Sequence, residues 1–199
     1  MIRKWQSRTA WSVALVFLCG ALFFFNKPDT MLSEAALSAP PPVDLLAKYV
    51  TDAPFGHEVG EQLPDFTLTQ IDGADFILSQ HRGKVTVINL WATWCTPCVN
   101  ELPHFDRLQK DYGNDVSVLA IHSDLITDDV QAYLSNYDYG IAFAIDESGA
   151  VIASVGGSTM LPQTIVLNRY GVVTDNKVGS VTYEALEELV QKAMNDENA

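Results

Sequence analysis

Hydrophobic and polar positions divide the chain into three stretches. Thr9 to Phe25 is uncharged and rich in Leu, Val, Phe and Trp, residues 27 to about 57 are rich in Pro and small residues, and from Leu63 onward apolar positions recur with regular periods. In the third stretch Asp65-Phe66-Thr67-Leu68-Thr69 alternates, Gly73 interrupts, and Phe76-Ile77-Leu78 follows, which predicts a hairpin. Val85-Thr86-Val87-Ile88-Asn89-Leu90-Trp91 is nearly all β-branched or aromatic, the pattern of a central strand covered on both faces. After Cys98, apolar residues at Val99, Leu102, Phe105 and Leu108 mark a helix that ends near Tyr112-Gly113-Asn114. A strand over 116–121, a helix over about 127–136, a strand over 141–145 and a short helix near 150–155 come next. The run Gly156-Gly157-Ser158-Thr159-Met160-Leu161-Pro162 leads into a strand at 164–167, a turn at Arg169-Tyr170-Gly171 and a strand at 172–174. Thr182 is placed to cap a last helix with apolar positions at Tyr183, Leu186, Leu189, Val190 and Met194. Alternating strands and helices closed by a hairpin and a helix predict an α/β fold with a central mixed sheet flanked by helices.

The first stretch changes the picture of where this domain works. Arg3, Lys4 and Arg8 precede the apolar run, and the chain turns polar at Asn26-Lys27-Pro28-Asp29. The run lies near the lower limit of about 17–25 residues for a spanning helix, so length alone does not separate an anchor from a secretory signal. Phe23-Phe24-Phe25-Asn26 offers no small-x-small cleavage pair, the nearest being Ser33-Glu34-Ala35, which favours a retained single-pass transmembrane helix over a removed signal peptide. Positive charge on the N-terminal flank places the remainder across the membrane from the cytoplasm. The expected organisation is therefore an anchor at 1–26, a linker at 27–57 that includes the amphipathic patch Val43 to Val50, and one domain at 58–197.

Charge narrows the partners. With 25 acidic against 12 basic residues, the formal net of −13 lacks the footprint of a nucleic-acid binder. Three cysteines are too few for a disulfide-stapled scaffold. Cys19 lies alone in the apolar run, after the bulky Leu18 where a lipid-attachment signal needs a small residue.

Cys95 and Cys98, in Trp94-Cys95-Thr96-Pro97-Cys98, carry the candidate chemistry. They stand where the central strand gives way to a helix. Unpaired N–H groups and the helix dipole there favour a thiolate at Cys95. Cys98, one turn further in, is more shielded yet placed to attack Cys95 once that sulfur is joined to a substrate. Pro97 stiffens the first turn and Trp94 is placed to shield one side of the sulfur. A structural staple is a weak alternative because so short a ring gains little loop-closure stability. A metal site lacks a second cysteine pair or a nearby histidine cluster. His57, His81, His104 and His122 are dispersed, with His104 within reach of the rim of the pair.

The run from Val87 to Pro103, with its Trp-Cys-Thr-Pro-Cys core, resembles the active-site signature of the thioredoxin superfamily, and in detail the membrane-anchored TlpA/ResA/DsbE-like thiol–disulfide oxidoreductases. The resemblance covers roughly 58–195. It implies a thioredoxin-like fold with an N-terminal hairpin and a helix–strand insertion between about 125 and 146, and it matches Pro103 to the family's helix-kinking proline. It also implies that Pro162 is the cis-proline beside the cysteines and that the Leu161 backbone pairs with a substrate peptide, making Trp94, Thr96, Pro97, Leu161 and Pro162 the substrate-binding set. Glu101 matches a functional glutamate of ResA-like proteins. Asn89 departs from the buried aspartate of thioredoxins, and since an amide takes no proton, Glu101 is its substitute as acceptor for Cys98.

The activity so implied is reduction of disulfides in exported proteins, apocytochrome c among them, at the outer face of a bacterial inner membrane. A membrane electron donor of the CcdA/DsbD type would restore the dithiol. No metal and no cofactor beyond the Cys95–Cys98 disulfide is implied. Three rivals stand beside it: a disulfide donor, since direction depends on the reduction potential; a peroxiredoxin-like peroxidase, which shares the insertion but places its cysteine in a different segment; and a copper-binding module, whose wider cysteine spacing and partner histidine are missing here.

Overall fold

The computed structural model describes residues 49–123 and 130–196. The expected anchor, Cys19, most of the expected linker and the start of the expected helix at Thr127 lie outside the described residues. Two short strands, β1 (Thr67–Thr69) and β2 (Asp75–Ile77), form the expected antiparallel hairpin. The main sheet holds β3 (Val85–Trp91), β4 (Val116–His122), β5 (Ala142–Ile145), β6 (Gln163–Leu167) and β7 (Val173–Val178) in the order β5-β4-β3-β6-β7. β3, β4 and β5 run parallel, whereas β6 and β7 are antiparallel to their neighbours, so the sheet is mixed. Helix α1 (Thr96–Tyr112) connects β3 to β4, α2 (Val130–Leu134) precedes β5, α3 (Ala150–Ser154) precedes β6, and α4 (Tyr183–Asn195) closes the chain. The insertion expected between β4 and α3 is thus present as α2 and β5.

All seven residues of β3 are buried, as its apolar run predicts. Two-residue periodicity sends alternate side chains to opposite faces. Val85, Val87 and Trp91 join Leu102, Phe105 and Leu108 of α1 and Leu186, Val190 and Ala193 of α4 in one core. Ile88 and Leu90 join Leu68 and Phe76 of the hairpin and Ile165 of β6 in the other. Since full burial of one such side chain contributes about 1.5–3 kcal/mol, β3 is the element on which both layers depend. Asn89 falls in the register of Val85, Val87 and Trp91. It is therefore the polar break in an apolar face, directed at the helix layer.

Differences from the sequence expectations lie at the sheet edges. β7 runs to Val178 rather than stopping at 174, because Asn176, Lys177 and Val178 of an edge strand face solvent and lose the apolar signal. α1 buries Glu101 and Asp106 beside its apolar stripe, whereas Val99 is only half-buried. Asp106 is held by the Gly140 N–H at 2.7 Å and by Lys110 Nζ at 2.6 Å, which ties α1 to the chain entering β5. Ahead of the hairpin, Tyr49 packs edge-on against Tyr170 and the Gln62 N–H donates to Pro54 O, so residues 49–62 lie along the domain.

Candidate active site

The cysteines sit where β3 ends and α1 begins. Cys95 is the N-cap of α1 in extended conformation, and its sulfur accepts the Cys98 N–H at 3.3 Å, taking the place of a capping oxygen on one of the helix's unpaired donors. Pro97 occupies the first turn, where its missing N–H costs no hydrogen bond. Cys95 and Cys98 are joined by a disulfide. Cys95 is 5% exposed and Cys98 wholly buried, the order expected of an attacking and a resolving sulfur. Around them Trp94, Thr96 and Pro97 are exposed, Trp94 to 61%, which leaves its indole as apolar surface beside the pair.

Beneath the pair, the register that aims Asn89 at the helix layer brings it against Glu101. The Asn89 amide donates to Glu101 Oε1 at 2.9 Å, and the Val181 N–H, from the loop between β7 and α4, donates to Oε2 at 3.0 Å. Glu101 lies three residues after Cys98, on the neighbouring ridge of the same helix, and is only 1% exposed. Burial raises its pKa from 4.5 to about 7 against the opposing pull of the Val181 and Asn89 bonds. A group titrating there accepts or gives a proton near neutral pH. Glu101 also lines a groove of about 340 Å³ with Thr96, Pro97, Asn100, His104 and Ser180, on the side of α1 that carries the residues between the cysteines. His104 therefore does reach the rim. Another groove, of about 720 Å³ beside the end of α4, is lined by no cysteine or histidine.

The second wall is the segment before β6. The Leu161–Pro162 peptide bond is cis, as the resemblance implies. Met160 is 64% exposed, Leu161 half-buried and Pro162 buried. Gln163 braces this segment, since its side chain accepts the Ser158 N–H at 2.7 Å and donates to Gly156 O at 3.0 Å. Gly157 is confined more tightly still: a Cβ there would stand 2.6 Å from the Ile152 carbonyl oxygen and against its side chain.

The remaining histidines separate by environment. His122, buried at the end of β4, accepts the Thr93 N–H at 3.4 Å and stands edge-on to Trp91, steadying the turn that enters α1. His81 stacks on Phe76 and pairs with Ser117, and burial lowers its pKa to about 4. His57 is exposed beside Glu58. Among the described residues, no three His, Cys, Asp or Glu gather to hold a metal ion. Of the residues that the sequence singles out, the structure joins Cys95 to Cys98, sets Asn89 against Glu101 and places Pro162, in cis, just before the strand that pairs with β3. The sequence does not mark Gln163, whose partners depend on the fold of the segment before β6, or the Val181 N–H, because a backbone donor has no side-chain signature.

A family model, Redoxin, matches residues 58–192. The chain belongs to the Redoxin family. The chain is 33% identical over 136 residues to the thioredoxin-like protein YneN of Bacillus subtilis, covering 67% of this chain and 79% of that one. It is 32% identical over 136 residues to the thiol–disulfide oxidoreductase ResA of Bacillus thuringiensis, covering 68% and 78%. Among solved structures, a thiol:disulfide interchange protein DsbE from Chlorobium tepidum superposes with a TM-score of 0.63 at 29% identity, over 68% of this chain and 97% of that one. These likenesses, with the Cys95–Cys98 pair, make this Redoxin member a thiol–disulfide oxidoreductase of thioredoxin fold, and disulfide-bearing proteins are its substrates.

Proposed function

We propose that this protein reduces disulfides of exported proteins, apocytochrome c among them, on the outer side of a bacterial inner membrane. The observation that carries this reading is a redox pair at a helix N-terminus backed by the buried Glu101 carboxylate, which Asn89 and Val181 hold in place and whose pKa burial raises to about 7. The Cys95 thiolate attacks a substrate disulfide and forms a mixed disulfide. Cys98 gives its proton to Glu101 and attacks Cys95, which expels the reduced substrate and leaves Cys95–Cys98 oxidised. Asn89 orients the Glu101 carboxylate without competing for the proton. Exposed Trp94, Thr96 and Pro97 on one side and the Leu161–Pro162 backbone on the other receive the substrate chain.

The redox couple is the disulfide itself, with no further cofactor. A membrane electron donor of the CcdA/DsbD type restores the dithiol. The basic and apolar N-terminal pattern supports a single-pass anchor that keeps the domain beside that donor. The assignment of sulfurs is tested by trapping. With a disulfide-bonded protein substrate, Cys98→Ser is expected to accumulate a mixed disulfide that dithiothreitol releases, and Cys95→Ser is expected to accumulate none. Trapping by Cys95→Ser instead would reverse the roles.

A further inference from the structure

The loop between β7 and α4 touches two parts of the site at once. Antiparallel pairing of β6 with β7 continues one step past Val178, where the Gly179 N–H donates to the Pro162 carbonyl at 2.8 Å. Two residues later the Val181 N–H reaches Glu101 Oε2 at 3.0 Å. Gly179 has φ of 100°, a conformation open to glycine and strained for other residues, so the chain turns there and presents both donors within three residues.

A hydrogen bond to an ionised carboxylate is about twice as strong as one to a neutral acceptor. The Val181 bond therefore strengthens or weakens with the charge on Glu101. Burial, Val181 and Asn89 are what act on that charge, with no cation among them. Asn89 is fixed in the centre of the sheet, paired on both sides by β4 and β6. Val181, its side chain packed in the core, belongs to the four-residue connection from Gly179 to Thr182. When the charge changes, this connection, half-buried at Gly179 and exposed at Ser180, yields more readily than the centre of the sheet, and its other end holds Pro162.

We propose that Gly179-Ser180-Val181 is a mechanical link through which the protonation of Glu101 sets the grip of the Leu161–Pro162 backbone on a substrate peptide. The proposal rests on Glu101 being the proton acceptor for Cys98. In the resolving step the Cys98 proton passes to Glu101, the Cys98 sulfur bonds to the Cys95 sulfur, and the bond between Cys95 and the substrate breaks. Its electron pair leaves on the substrate sulfur, which takes a proton from water. The dithiol is oxidised and the substrate disulfide reduced. In the same step Glu101 becomes neutral, the Val181 bond weakens, and the Gly179 hold on Pro162 loosens. Product release is thus timed to the chemistry. Gly179 and Val181 are positioning residues that touch no reacting atom.

Amide NMR on the oxidised full chain in detergent tests the link, because the joined cysteines do not titrate there. Of the other titratable side chains, His104, on the same helix, lines the same groove as Glu101, and Glu184 at the start of α4 acts on His104. The Val181 and Gly179 amide signals are expected to shift with the same midpoint as the Glu101 carboxyl carbon. The shift should survive His104→Gln and vanish in Glu101→Gln. Val181 following Glu101 while Gly179 stays still would overturn the link and leave the proton-acceptor reading intact. A Glu101 carboxyl that does not titrate near neutrality would overturn both. A second arm uses Gly179→Ala, where an added Cβ meets no atom within 4 Å and only the backbone conformation is strained. It is expected to raise KM for a peptide disulfide about fivefold more than KM for a small aromatic disulfide, which needs no backbone pairing. Equal effects on the two would contradict the link.

Discussion

Burial raises the pKa of Glu101, and the hydrogen bonds it accepts do not offset that effect. The folded protein therefore holds a proton that the unfolded chain releases at lower pH. Between the ordinary value of 4.5 and about 7 the native state binds more protons, so stability falls as pH rises through that window. The full cost is about 3 kcal/mol. An amide in place of this carboxylate keeps one oxygen for Val181, and a turn of the Asn89 amide by half a revolution lets its Oδ1 accept from the new N–H₂ in place of the bond it now donates. Glu101→Gln is therefore expected to unfold at higher urea than the native protein, with the difference widening from pH 4.5 to pH 7. A constant difference across that range would contradict the assignment. The same substitution removes the base for Cys98. In the native protein the rate of resolution should climb with pH through about 7, as the carboxylate forms, and in Glu101→Gln that inflection should disappear from stopped-flow traces of mixed-disulfide decay.

Two elements carry the site, and both owe their position to features outside the cysteine motif. β3, buried along its whole length in the middle of the sheet, delivers Cys95 just past its C-terminal end. α4 fixes the loop that reaches Glu101, and its own start is fixed by Thr182, whose hydroxyl accepts the Ala185 N–H at 3.3 Å. Thr182→Ala is expected to cost about 1 kcal/mol in chemical denaturation, the usual loss for an N-cap. Gly157→Ala should cost more, about 1–3 kcal/mol, because its Cβ presses on the Ile152 backbone. Calorimetry that finds Gly157→Ala as stable as the native chain would show that this segment yields. How much of this was legible in the sequence follows from the same physics. β3, α1 and α4 declare themselves through long apolar periods, and Cys95 with Cys98 through spacing. The polar outer half of β7 has no such period because one side of an edge strand faces water. Contacts such as Asp106 with Gly140 depend on long-range packing that no local pattern encodes. Asn89 stood out as a departure from the family pattern, but its contact with Glu101 became visible only when the register of β3 set its side chain against α1.

At the scale of the whole molecule, a single Redoxin domain spans 58–192 and follows an N-terminal stretch with the charge and hydropathy of an anchor. On the proposed reading the full chain should sediment with bacterial membranes, and Cys95, once reduced, should react in intact cells with a thiol reagent that does not cross the inner membrane. Labelling only after lysis would place the domain on the cytoplasmic side. The acidic surface, net −13, should slow reaction with acidic substrates relative to basic ones at low salt, a difference that disappears as salt screens it. Direction of electron flow is the most consequential property at this scale, because the same sulfurs serve a reductase or a disulfide donor. It is decided by the equilibrium reduction potential of the Cys95–Cys98 couple against glutathione or dithiothreitol. A value between about −220 and −270 mV is expected of the reductase proposed here, and a value near about −120 mV, that of a strong oxidant, would contradict it.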